Sequence, residues 1–241
     1  MIDRRGLADI LRITGSVSAY NVKIMFANRF FYFLLAAFIV FLLTVTISLF
    51  DSDASPDEAS VYDLLLFAGL LVIFYPTVFG IQNDVDTRMI EILFGIPDYR
   101  YKVWLARMIL VWLIVFAVLL AFAVLSSLAL APVPVFEMVF QLMFPVFLVG
   151  ALAFMFSTVV RSGNGTAVVM IVIGTAFWIG SGVIARSKWN IFLNPFDVPD
   201  DMTLALWNAL ITQNRLILAT GAVLALLFGL LNLQKRERFI Q

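Results

Sequence analysis

Six long apolar runs, separated by short polar segments, dominate the pattern of hydrophobic and polar positions along the chain. A hydrocarbon core of about 30 Å needs about 20 helical residues at 1.5 Å each, and every run is near that length. Transmembrane β-strands would instead alternate over about 9–11 residues. The sequence therefore predicts an all-α integral membrane protein, a single domain of residues 1–241 with six transmembrane helices. The predicted spans are residues 30–50, 64–81, 103–130, 135–160, 166–184 and 216–233.

Two polar segments have a helical repeat but are not apolar enough to span. In residues 4–29, apolar positions recur every three or four residues with Arg and Lys between them, which predicts an amphipathic helix on the membrane surface. Residues 84–96 follow a similar spacing, and Gly95 and Pro97 then end the helix. The second segment is a candidate docking helix for a soluble partner, or simply a connection between two spans.

The stretch before the last run is apolar only in pieces too short to span. Pro195 and Pro199 interrupt it, so residues 189–211 are predicted to form a re-entrant or interfacial segment on the outer side. Arg215 then falls in the outer loop, and no charge lies deep in any predicted span. Since an intramembrane ionisable residue commonly marks an ion or proton pathway, this pattern argues against a proton-driven transporter and favours a hydrophobic or amphipathic cargo.

The composition agrees with a membrane protein and excludes several kinds of catalytic and metal site. Hydrophobic residues make up 63% of the chain and charged residues 13%, against about 45–50% and about 25% in soluble domains. There is no His and no Cys, which excludes Cys/His zinc sites, thiolate nucleophiles, Ser-His-Asp triads and disulfides. The net charge of zero gives no reason to expect a nucleic-acid partner.

Basic residues predict the orientation. With six spans, both termini lie on one side, and that side holds most of the 16 Lys and Arg, with only Arg186, Lys188 and Arg215 opposite. Because basic residues near span ends are retained in the cytoplasm, both termini are predicted to be cytoplasmic, in a multi-pass protein of the cytoplasmic (inner) membrane.

The loop after the second span carries a spaced set of residues: Asp86-Thr87, Glu91, Ile92-Leu93, Pro97 to Arg100, and Arg107. The set resembles the loop of ABC-2 type permeases, which has Gly-Thr, a Glu, an apolar pair, a Pro-to-Arg step and a Lys. Here Asp86 stands where the family has Gly, and Arg107 where it has Lys. The length, the six spans, the basic N-terminal helix and the segment before the last span are also similar to that family.

The resemblance implies a permease subunit of an ATP-driven exporter that is not itself an enzyme. The 241 residues contain no Gly-x-x-x-x-Gly-Lys-Ser/Thr loop, so ATP and Mg²⁺ would be bound by a separate cytoplasmic ABC ATPase subunit, and no cofactor by this chain. A second permease copy or a paralogue would complete a dimer surrounded by membrane lipids. The residues implied in ATPase docking are Asp86, Thr87, Arg88, Glu91, Pro97 and Arg100.

In the family, spans two and five face the partner permease and line the path. The small, hydroxyl-bearing or aromatic residues that this implies here are Tyr75, Thr77, Gly174, Thr175, Trp178 and Ser181. Small residues allow close approach of helices, and simple packing is the alternative role for each of them.

Three other functions stay open on the sequence. A haem-exporter-type permease of cytochrome maturation shares the loop pattern and the size. A membrane-embedded lipid-modifying enzyme would need clustered acids at a span end, for which Asp84 and Asp86 are the nearest candidates. The third is a membrane protein that is not a transporter, either an assembly factor or a channel.

Overall fold

A computed structural model describes residues 29–50, 56–86, 100–160 and 162–233. These ranges hold six long helices and no strand, and each helix is long and apolar enough to cross a membrane. The predicted all-α fold with six spans is confirmed, and the chain is a multi-pass membrane protein. The helices are α1 (Arg29–Phe50), α2 (Glu58–Asp86), α3 (Ala106–Ala129, preceded by a π-helical turn, Arg100–Leu105), α4 (Val135–Val160), α5 (Gly163–Val183) and α6 (Leu204–Asn232).

Helix α4 lies at the centre of the bundle. Its most extensive contacts are with α6, then with α2, and α2 in turn packs against α1, α3 and α5. Gly69 on α2 permits a close crossing, since a Cβ there would lie 3.2 Å from Leu119 of α3 and 3.3 Å from Val146 of α4. Helix α5 stands at the flank and buries only Gly163, Thr166 and Met170, all in its first half. The bundle is therefore tight around α4 and loose around α5.

The last helix begins earlier than the sequence predicts. Residues 204–211 belong to α6, so the predicted segment 189–211 is divided between a loop and a helix, and the predicted span boundary at residue 216 is corrected. Thr203 caps α6 by accepting the backbone N–H of Leu206 at 3.4 Å. Residues 184–203 form turns without a helix, and we call them the capping loop. We call the end of the bundle that this loop covers the capped end.

The early start of α6 moves Arg215 from the predicted outer loop into a helix. Its side chain is 5% exposed, and Arg107 of α3 is also buried. The expectation that no charge lies deep in a span is therefore corrected for Arg215, whereas Arg107 lies in the first turn of α3. The predicted span begins too late because the stretch Thr212 to Arg215 is polar, although Asn214 and Arg215 bond to partners inside the protein.

Several predicted features lie outside the described residues. They include the amphipathic helix 4–29 up to residue 28, most of the docking helix 84–96, and Thr87, Arg88, Glu91 and Pro97. Asp86 is the last residue of α2, and Arg100 is the first of the π-helical turn. The docking helix and the cytoplasmic position of the termini stay predictions.

Asp57 caps α2 and supplies a pH-dependent contribution to stability. Its carboxylate accepts hydrogen bonds from the hydroxyl and the backbone N–H of Ser60, at 2.6 and 2.9 Å. The bond from the Ser60 hydroxyl is the main cause that lowers the pKa of Asp57 below its ordinary value of 3.8. Because the pKa of Asp57 is lower in the folded state, the stabilisation is fully present at pH values above the unfolded-state pKa. It is lost as the pH falls through the folded-state pKa.

We expect Asp57→Ala to lower the free energy of unfolding by about 1 kcal/mol at pH 7. The deficit relative to the wild-type protein should shrink at an acid pH below 3.8, because the stabilisation from the charge is lost as the pH falls through the lowered folded-state pKa. Thermal unfolding of the detergent-purified protein at both pH values checks this. Asp57→Asn keeps an uncharged acceptor and serves as the control, and an equal deficit of Asp57→Ala at both pH values would contradict the role of the charge.

Candidate functional site

A cleft of about 700 Å³ lies between α2, α5 and the capping loop. Its volume is within the range of about 300–1,000 Å³ that is usual for small-molecule sites. The cleft is partly open at the flank of the bundle, where Trp178 is 72% exposed. Its walls are mainly apolar, with a carboxylate and two hydroxyl groups among the lining residues, which are Asp63, Leu66, Phe67, Leu70, Gly174, Thr175, Trp178, Ser181 and Phe192.

The cleft exists because α5 is attached to the bundle at only one end. Ser162 caps its first turn, and Met170 packs against Val78 and Ala153. Beyond Met170 no α5 residue is buried, and ideal Cβ atoms built on Gly174, Gly180 and Gly182 would meet no atom within 4 Å. The second half of α5 therefore stands away from α2 and leaves the space.

Four of the six predicted path residues line this cleft, all of them on α5: Gly174, Thr175, Trp178 and Ser181. The hydroxyl of Ser181 donates to the carbonyl oxygen of Trp178 at 2.6 Å, so it is held along the helix. The α5 residues to which the family resemblance pointed therefore lie on a side of the helix that the fold leaves open.

The other two predicted path residues, both on α2, are buried in packing instead. Tyr75 stacks on Phe33 and Phe79, with ring centroids 4.6 and 5.3 Å apart. The hydroxyl of Thr77, next to Pro76, donates to the carbonyl oxygen of Ile73 at 2.7 Å. Their role in a path or a dimer interface stays a prediction, but they are not part of the cleft.

The mouth of the cleft is polar, and α2 and the capping loop position it together. The side-chain amide of Asn194 donates to Asp63 at 3.0 Å and to the carbonyl oxygen of Ala59 at 2.9 Å. The Asn194 oxygen accepts the backbone N–H of Phe196, which fixes the turn. Tyr62 is buried in the core, and the next residue, Asp63, lines the cleft, so α2 contacts the core on one side and the cleft on the other.

Arg215 joins three helices beneath the mouth. Its guanidinium donates to Gln141 of α4 at 2.9 Å, to Asn214 at 3.0 Å, to the hydroxyl of Tyr62 on α2 at 3.2 Å and to the carbonyl oxygen of Leu193 at 3.1 Å. All four acceptors are neutral. The buried cation is therefore solvated by dipoles, and it connects α2, α4 and α6 to the capping loop.

Two further α6 side chains attach the capping loop. Asn214 donates to the carbonyl oxygens of Lys188 and Asn190, at 2.9 and 2.8 Å. The indole N–H of Trp207 donates to the carbonyl oxygen of Pro195 at 3.0 Å. Buried backbone carbonyls need such donors, because the loop has no regular secondary structure to satisfy them. The loop is therefore held in place, and with it Phe192 and Asn194 at the cleft.

Sequence reasoning missed Asp63 and Arg215 as site residues. Asp63 immediately precedes the second predicted span, which begins at residue 64, so the sequence places it in the outer loop. The one available signal was a cluster of polar residues in otherwise apolar surroundings, namely Asn190, Asn194, Asn214 and Arg215. Such residues are costly to bury unless they bond to one another or to the backbone, which they do here.

Comparison with known proteins finds no matching family model, no similar curated protein and no similar solved structure. Among the residues that the structure describes, no group of three or more Asp or Glu side chains is placed to hold a metal ion. The resemblance to ABC-2 permeases thus depends on the loop residues and on the arrangement of spans.

Proposed function

We propose that this chain is the membrane-spanning permease subunit of an ATP-driven exporter of the ABC-2 type. In this proposal a separate ATPase subunit docks on the cytoplasmic loop between α2 and α3, and two permease copies form the path in the cytoplasmic membrane. The cargo in this proposal is hydrophobic or amphipathic, which the mainly apolar walls of the cleft support. The observation that carries the proposal is the cleft between α2 and α5, the two helices that line the path in the family that the sequence resembles.

The surface of α5 also supports pairing with a second copy. Its exposed residues are almost all apolar, and they include Ile171, Trp178 and Ile179. Gly182 is exposed, and a Cβ built there would meet no atom within 4 Å, so a second helix could approach this surface closely at that position. In lipid, helices associate through close packing at small residues rather than through the hydrophobic effect. A second copy seated here would close the open flank of the cleft and turn it into an enclosed path.

The ATPase partner is the part of the proposal that an experiment can test directly. Purification of the protein from its native membranes, with chemical crosslinking before mild detergent extraction, is expected to recover an ATPase that carries a phosphate-binding Gly-x-x-x-x-Gly-Lys-Ser/Thr loop. The charge-reversed double variant Arg88→Glu plus Glu91→Arg should lower that recovery at least about tenfold, because docking energy is concentrated in a few central residues.

The matched control is a second charge reversal, Arg186→Glu plus Asp201→Arg, at the exposed ion pair of the capped end. The proposal expects it to leave ATPase recovery unchanged, since the two ends would lie on opposite sides of the membrane. Failure to recover any ATPase, or equal loss in both double variants, would count against the exporter assignment.

A further inference from the structure

The cleft is the middle part of a longer slot that changes from apolar to polar. At its inner end it continues into a recess of about 130 Å³, lined by side chains that include Phe74, Met170 and Phe177. At its outer end it shares Asp63, Ser181 and Phe192 with a pocket of about 460 Å³ under the capping loop. A single ligand in the slot could therefore contact the apolar walls of the cleft and the polar groups at its mouth.

The charges at the mouth are not balanced. Arg186 contacts Asp201 at 2.6 Å, so these two opposite charges compensate each other. Asp63 and Asp197 both line the outer pocket, and neither has an ion-pair partner within the described ranges. The mouth therefore has an excess of negative charge next to an apolar cleft.

Two other cations of the capped end, Lys188 and Arg215, are directed elsewhere. The ammonium group of Lys188 lies over the ring of Trp189, 5.9 Å from its centroid. Arg215 is buried on the inner side of α2, where it bonds to Tyr62 rather than to Asp63. Neither residue lines the cleft or the outer pocket.

Asp63 has the capacity to bind a cation. An ionised carboxylate has about four acceptor positions, and within the described part of the chain the Asp63 carboxylate accepts one hydrogen bond, from Asn194. The bond from Asn194 to Ala59 fixes the Asn194 amide, and this positions the carboxylate at the end of the apolar wall. A charge pair at such a place is stronger than in water, because the surrounding apolar groups lower the effective dielectric constant.

Combining the apolar body, the acidic mouth and the aromatic walls, we propose that the slot binds a hydrophobic organic cation. The positive group would lie at Asp63, near Asp197, and the apolar body between α2 and α5 against Trp178 and Phe192. An anion would meet two carboxylates, and an ordinary uncharged lipid chain would leave them unmatched. This assignment names the substrate class of the proposed exporter, and as a statement about cargo it rests on that proposed function.

The test uses two ions of nearly the same size and shape but of opposite charge. The purified full chain, in nanodiscs of phosphatidylcholine, is titrated with radiolabelled tetraphenylphosphonium, and the same titration is made with tetraphenylborate. We expect saturable binding of the cation above that of empty nanodiscs and at least about tenfold weaker binding of the anion. Asp63→Asn should weaken cation binding at least about tenfold.

Two further variants distinguish the effect of the Asp63 charge on binding from the effects of cleft shape and of misfolding. Glu137→Gln removes an exposed acid of α4 that does not line the slot, and it should leave the affinity unchanged. Gly174→Phe fills the cleft without changing any charge; it should fold, since the glycine has open space around it, and should weaken cation binding. Thermal unfolding of each variant verifies that the fold is intact.

Several outcomes would overturn the inference. Binding that does not saturate and equals that of empty nanodiscs would mean partition into lipid only. Equal affinity for the two ions, or unchanged affinity in Asp63→Asn, would also refute it. Because the titration needs no ATPase, its failure leaves the copurification result standing. Conversely, binding that depends on Asp63 in a protein without an ATPase partner would overturn the exporter assignment alone.

Discussion

Replacing Arg215 with alanine is expected to lower the free energy of unfolding by on the order of 3–5 kcal/mol. The guanidinium donates to the partly buried Gln141, to the buried Tyr62 hydroxyl and to the carbonyl oxygen of Leu193, and these acceptors would lose their donor together. Each acceptor left without a partner costs about 1–3 kcal/mol. The stacking of the guanidinium near Phe144, 5.8 Å from the ring centroid, would be lost as well.

Thermal and denaturant-induced unfolding of the purified protein in detergent measure this effect. The control is Arg186→Ala at the same end of the bundle, where the ion pair with Asp201 is more than half exposed and is worth about 0–1 kcal/mol. Arg215→Lys keeps the charge but cannot reach all the acceptors and should lie in between. Similar losses in Arg215→Ala and Arg186→Ala would contradict the central role of the buried guanidinium.

The Arg215 network also explains which part of the fold could be predicted from the sequence. Apolar runs predict helices well because a chain in lipid must satisfy its backbone hydrogen bonds internally, and a helix does so within each run. The start of α6 was placed too late because Asn214 and Arg215 make that stretch polar. Their partners, the carbonyl oxygens of Lys188, Asn190 and Leu193, come from a loop whose position no local pattern reveals.

The family resemblance pointed to the fifth span, and four of the residues named there line the cleft: Gly174, Thr175, Trp178 and Ser181. Asp63 escaped because its role depends on the distance between α2 and α5 and on the side chain of Asn194, which lies far along the chain. Tertiary distances of this kind cannot be read from spacing.

Helices α4 and α6 are held together at both ends by polar contacts and in between by small residues. Gln141 bonds to Arg215 at the capped end, and Asn232 donates to the carbonyl oxygen of Thr158 at 2.8 Å at the other. Along α6, Gly221, Ala225 and Gly229 recur every fourth residue. Such a stripe lets helix backbones approach closely in lipid, where dispersion contacts replace the hydrophobic effect as the cause of association.

Gly229→Val should therefore destabilise the protein by about 2–3 kcal/mol, the upper part of the range for overpacking a well-filled core. A Cβ at this position would lie 2.8 Å from two ring atoms of Phe154 and 3.3 Å from the Cα of Met155. The Phe154 ring is buried and lies 6.0 Å from the ring of Trp104, and the Met155 Cα is backbone. Relieving the clash requires moving the buried Phe154 ring and shifting α6 away from α4.

Gly180→Val is the matched control, because a Cβ at Gly180 would meet no atom within 4 Å. Both substitutions add the same atoms to a helical glycine, so the intrinsic helix preference of valine cancels in the comparison. We expect the melting temperature of Gly180→Val to stay close to that of the wild-type protein while that of Gly229→Val falls. If both variants melt together, close approach at Gly229 does not hold the α4–α6 pair, and the polar contacts at its two ends must carry the stability of the bundle's centre.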